Sequence, residues 1–85
     1  MQCHFRQCLE QLLEYPSYTL EMECNEVSYK IKQIMGTFKI SVDDDFGQEQ
    51  QITASFDQII IKFKNEVIKE MNLFNSQKKI VKTFK

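Results

Sequence analysis

Two glycines, one proline, one histidine and no tryptophan occur among the 85 residues. Each shortage excludes a class of chemistry. Without glycine-rich turns there is no loop of backbone N–H groups to cradle a phosphate. With His4 as the sole imidazole, no Ser-His-Asp set forms away from the first turn of the chain. The longest unbroken apolar run is Ile59-Ile60-Ile61, against roughly 20 residues for a membrane span, so no membrane partner is expected. Gln2, His4, Arg6, Gln7 and Glu10 stand where a signal peptide needs apolar residues. Cys3, Cys8 and Cys24 form an odd set with no Cys-x-x-Cys pair, which reads as reduced thiols in a cytoplasmic protein. A net charge of −1 excludes a generally basic nucleic-acid coat.

What is present is ordinary globular material, 42% hydrophobic and 27% charged, enough for one small domain over residues 1–85. Phe5, Cys8, Leu9, Leu12 and Leu13 recur at helical spacing, and Pro16 closes that helix. From Ser17 the period becomes two. Tyr18, Leu20, Met22 and Cys24 share one face, and Val27, Tyr29 and Ile31 resume it after Asn25-Glu26. A turn at Asn25-Glu26 sets Leu20 opposite Ile31 and Met22 opposite Tyr29, with Glu21 opposite Lys30 on the other face. A third strand carries Phe38, Ile40 and Val42 inward. A Met35-Gly36 turn aligns Ile31 with Ile40 but sets Lys32 against Lys39, a conflict that a bulge would relieve.

Residues 43–55 break both periods and read as a long polar loop. Ser55 then has the pattern of an N-cap, with Gln58 three residues later. Phe56, Ile59, Ile60, Phe63, Val67, Met71 and Phe74 predict one long helix. For residues 76–85 an edge strand, a basic tail and a helical extension all fit the pattern. The expected fold is therefore α+β in two layers: helix, three-stranded antiparallel meander and helix, with residues 76–85 supplying a fourth edge strand on one reading. Leu12, Leu20, Ile31, Ile40, Ile60 and Phe63 are its expected core.

The candidate chemistry is sparse. Cys3, His4 and Cys8 offer three ligands where structural zinc takes four, and Cys8 lies on the apolar stripe. A calcium loop counted from Asp43 would place Gln48 and Ala54 where glycine and glutamate are required. Carboxylates in a solvated loop lack the burial that tunes an acid–base pair. The expectation is a non-enzymatic protein with no cofactor and no metal.

Charge placement says more. Residues 1–50 hold nine acidic and four basic side chains, whereas residues 51–85 hold three acidic and seven basic. No basic residue lies between Lys39 and Lys62, a stretch containing Asp43, Asp44, Asp45 and Glu49 with Phe46 among them. An acidic rim around one aromatic anchor is suited to a basic protein surface, and those five residues are the candidate partner-binding set. Lys78, Lys79, Lys82 and Lys85 around Phe84 form the alternative, a weak and salt-sensitive nucleic-acid site. Monomer and homodimer are both compatible with this composition. The order of elements over residues 5–74, with Asp43-Asp44-Asp45 and Glu49 after strand Phe38–Val42, resembles small phage-encoded inhibitor proteins, anti-CRISPR proteins among them. That resemblance implies an inhibitor of a larger nucleic-acid-handling protein that presents carboxylates in place of phosphates. A toxin-neutralising immunity protein would have a similar outline, and the lysine-rich end departs from a full nucleic-acid mimic.

Overall fold

The computed structural model describes residues 3–43 and 49–84. The elements run α1 (Cys3–Glu14), β1 (Thr19–Cys24), β2 (Val27–Ile34), β3 (Thr37–Asp43), β4 (Glu49–Ala54), α2 (Phe56–Lys62), β5 (Ile68–Phe74) and β6 (Ile80–Phe84). All six strands join one sheet in the order β4-β3-β2-β1-β5-β6, every neighbouring pair antiparallel. The α+β class expected from the sequence holds. The sheet is twice as wide as the expected three-stranded meander.

The first half follows the sequence pattern closely. Leu20 pairs with Ile31, Glu21 with Lys30 and Met22 with Tyr29. Asn25 and Glu26 both take the left-handed conformation, at φ 52° and 64°, which gives a two-residue hairpin turn the right twist. The next turn repeats the device with Met35 at φ 54° and Gly36 at φ 82°. Here β2 and β3 pair continuously, Ile31 with Ile40 and Lys32 with Lys39. No bulge relieves the lysine pair, because shifting the register by one residue would turn Ile31 or Ile40 away from the core.

Three expectations need correction. Residues 43–55 are not all loop, since Glu49–Ala54 is a strand paired with β3, Ile52 opposite Ile40 and Ala54 opposite Phe38. The long helix from Phe56 to Phe74 is broken. Ser55 caps it as expected: its hydroxyl accepts from the Gln58 N–H at 3.2 Å, and the Gln58 side chain accepts from the Ser55 N–H at 2.9 Å. The helix nevertheless ends at Lys62, and the chain turns through Lys64 and Asn65 into β5. A bulge at Lys69 of β5, between the Glu23–Glu70 and Cys24–Ile68 pairs, lets β5 place Ile68, Met71 and Leu73 inward. That three-then-two spacing imitates a helical stripe. Finally, of the three readings of residues 76–85, the strand is realised as β6, with its own register shift against β5.

Both helices lie on one face of the sheet, α1 over β1 and β2 and α2 over β3 and β4. Between the layers sit Phe5, Leu9 and Leu12 of α1, Leu20, Ile31, Phe38 and Ile40 of the sheet, and Ile59 and Phe63 from α2 and its C-cap. Phe63 meets the edges of Phe5 and Tyr29 at ring separations of 5.3 and 5.1 Å. Ile59, not the expected Ile60, is the fully buried isoleucine of α2, and Ile60 packs half-buried beside it. Cys8 and Cys24 are free thiols packed in this core. Gln33 also points inward, where its side-chain oxygen accepts from the Gly36 N–H at 2.8 Å and so braces the β2–β3 turn. Among the described residues no helix is long and apolar enough to cross a membrane.

Candidate functional site

Among the described residues no helix covers the outer face of the sheet, and its charges are sorted by position along the strands. Strand pairing lines up three rows. At the end nearest the Asn25-Glu26 turn, Glu70, Glu23, Ser28 and Asp43 follow one another across β5, β1, β2 and β3, and Glu49 is opposite Asp43 on β4. The middle row is mixed, with Asn72, Glu21, Lys30, Ser41 and Gln51. At the other end, Phe74, Thr19, Lys32, Lys39 and Thr53 complete the pattern. The outer rows are about 13 Å apart, four residues at ~3.3 Å each.

This sorting does not serve the sheet itself. Glu23 faces Glu70 and Lys32 faces Lys39, and like charges directly opposite one another destabilise a strand pair. Swapping one member of each pair would have given favourable cross-strand ion pairs. Among the described residues, salt bridges form only between Arg6 and Glu10, at 4.0 Å, and between Lys69 and Glu23, at 3.5 Å. The Glu70 carboxylate accepts from the Asn72 side chain at 3.2 Å, which holds it in the row.

Two grooves open on this face. One, of about 470 Å³, is lined by Glu21, Glu23, Asp43, Glu70 and Asn72 among others, with Lys30 as its single cation among the described residues. The second, of about 390 Å³, takes in Lys30, Lys32, Lys78, Asn75, Gln51 and Phe74. A third groove, on the helix side between α1 and β6, is floored by Cys8, Leu73, Val81 and Phe84 and rimmed by Glu10 and Lys82.

The residues singled out by the sequence divide among these features. Asp43 is exposed at the end of β3 and lines the acidic groove. Asp44, Asp45 and Phe46 lie outside the described residues, and Glu49 is placed only by its backbone pairing with Asp43. Among the described residues, Lys78 and Lys82 line different grooves. Lys78, in the β5–β6 turn at φ 61°, joins the basic groove of the outer face. Lys82 lies against the Phe84 ring at 5.0 Å on the helix side, Lys79 borders the same turn, and Lys85 is outside the described residues. Sequence reasoning missed Glu23, Glu70, Lys30, Lys32 and Lys39 as site residues. The Lys32–Lys39 opposition was visible in the proposed turn, whereas Glu70 could not join Glu23 while β5 read as helix.

At the acidic end, Glu66 ties the layers together. Its carboxylate accepts from the Asn25 side chain and from the Cys24 thiol, the latter at 3.8 Å. Burial first, and then this carboxylate, push the Cys24 thiol above its ordinary pKa. Burial pushes the Cys8 thiol up to about 11, with Lys82 opposing the shift. Both thiols are therefore protonated at neutral pH and are poor nucleophiles and poor metal ligands. His4, exposed on α1, stacks on Phe84 with ring centroids 4.6 Å apart. No protein-family model matches this sequence, and no curated protein or solved structure is significantly similar to it.

Proposed function

We propose that this chain is a small non-enzymatic protein-binding module that sets the acidic row Glu70, Glu23 and Asp43 against the basic surface of a larger protein. Occupying a surface that would otherwise meet nucleic acid makes it an inhibitor of that partner, in the cytoplasm. One observation carries the reading: carboxylates Glu70, Glu23 and Asp43 lie in register across β5, β1 and β3 with like charges opposed. Among the described residues Lys69 offsets Glu23 alone, at 3.5 Å, and a basic partner offsets Glu70 and Asp43 on binding. Adjacent strands set Glu70 and Glu23 about 5 Å apart, inside a Debye length of about 8 Å, and Asp43 stands two strands from Glu23, about 10 Å away. Such a row steers a cationic surface and fixes its register, so its removal acts mainly on the association rate.

The test is a comparison of wild-type chain with a Glu23→Gln, Asp43→Asn, Glu70→Gln triple variant as baits in native extract, followed by 1:1 titration of the recovered protein. The variant should melt at or above the wild-type temperature and lose the partner about tenfold, with a flatter salt dependence. A partner retained equally by both baits refutes the assignment.

A further inference from the structure

We propose that the opposite end of the same face binds a single-stranded nucleic-acid segment, its phosphates on Lys30, Lys32 and Lys78 and one base against Phe74. Four observations converge on this groove. Lys30 and Lys32 reach it from β2 and Lys78 from the β5–β6 turn, so three cations come from two separate parts of the chain. None of the three has a carboxylate within 4.0 Å among the described residues. Lys39 faces Lys32 directly across the strand pair, an opposition that only an anion would neutralise. The rest of the lining is what a phosphodiester backbone needs between its charges: Thr19, Ser41, Gln51 and Asn75 offer uncharged donors.

Phe74 distinguishes a nucleic acid from a simple anion. It stands on the outer face opposite Thr19, half-buried, in a row otherwise made of lysine and threonine. A lone aromatic ring between lysines on an open antiparallel sheet is the arrangement on which single-stranded bases stack, whereas a duplex presents no free base face. The groove, at about 390 Å³, has room for one or two nucleotides. Its acidic neighbour limits the strand's path: Glu21 borders both grooves, and Glu23 and Asp43 repel phosphates beyond it. The strand therefore crosses the sheet along the lysine row and does not run up the strands. This site differs from the tail-lysine cluster that the sequence suggested, since only Lys78 belongs to both. It also goes beyond the protein-docking reading, which rests on the carboxylates at the other end.

The experiment is fluorescence anisotropy of the full chain with labelled dT12 and rU12 from 20 to 200 mM salt. With three or four lysines engaged, log affinity should fall with log salt at a slope of about −2 to −3, and Lys32→Gln with Lys78→Gln should flatten it by about 1.4. Phe74→Leu should weaken binding at least fivefold. Glu21→Gln should tighten it. Lys82→Gln, on the helix side, should leave the slope unchanged. Lack of binding at 20 mM salt overturns the proposal. So does an equal loss with Lys82→Gln, which would mark diffuse attraction without a site, or a preference for duplex over single strand. The acidic triple variant keeps or improves oligonucleotide binding here while losing the protein partner, so the two readings fail separately.

Discussion

Leu73 and Val67 give the sharpest test of the architecture, because a continuous helix from Phe56 and the observed strand β5 make opposite demands on them. In the helical reading Val67 lies on the buried stripe and Leu73 off it. In the structure Val67 is 75% exposed in the link before β5, while Leu73 is 2% exposed and pairs with Leu20 across the sheet. Leu73→Ala removes a buried side chain that cannot be replaced by movement of the paired strands, and such truncations cost about 2–5 kcal/mol. For a chain of this size, total stability is about 4–13 kcal/mol, and each kcal/mol shifts the melting temperature by about 4–8 °C. Leu73→Ala should therefore lower the midpoint by roughly 8–40 °C in a thermal melt followed by circular dichroism. Val67→Ala should stay within about 0.5 kcal/mol of wild type. If Val67→Ala is the more damaging of the two, β5 is a helix and the sheet-based account of both grooves fails with it.

Three further outcomes follow from local geometry. Glu26 sits at φ 64°, a conformation that costs a non-glycine residue about 1–2 kcal/mol, so Glu26→Gly should raise the urea midpoint by an amount worth about 1 kcal/mol; a loss of stability would refute the turn assignment. Ser55→Ala removes the capping box of α2 and should cost about 0.5–2 kcal/mol, with Ser55→Asp restoring most of it in the same denaturation assay. Because folding raises the Cys8 pKa from 9.0 to about 11, the unfolded chain loses its proton first as pH rises. The contribution of Cys8 is thus complete below pH 9 and is lost between pH 9 and 11, and Cys8→Ala should reduce the fall in urea midpoint across that window.

The first half of the fold was legible because its strands keep strict alternation and its turns carry an asparagine or a glycine. Leu20, Met22, Ile31 and Ile40 point inward in the register their spacing implies. The second half was obscured by three local features. β4 is polar at Glu49, Gln50 and Gln51, and only Ile52 and Ala54 betray the alternation, so its pairing with β3 does not show in composition. The bulge in β5 adds Lys69 between Ile68 and Glu70, which converts a strand period into a helical one. β6 is an edge strand with Ile80 and Val81 exposed, guarded by lysines in the manner of many sheet edges, so burial leaves no clear pattern there. The candidate site suffered accordingly. The Glu23–Glu70 opposition and the approach of Lys78 to Lys32 arise only when β5 lies beside β1, a neighbour 40 residues or more away in sequence, and no local reading of Glu23 or Lys78 could assemble them.

The central claim is that charge on the outer face is sorted for a partner. The most direct measurement is the association rate of the captured protein with wild type, with the Glu23→Gln, Asp43→Asn, Glu70→Gln triple variant, and with a Lys30→Gln, Lys32→Gln, Lys78→Gln variant, each at 50 and 300 mM salt. Removing three exposed charges at about 0.5 kcal/mol each should slow association by the acidic variant about tenfold at low salt and much less at high salt. The lysine variant should associate at the wild-type rate or faster. Equal slowing by both variants, or no slowing by the acidic one, would contradict the claim that the acidic row is the docking surface.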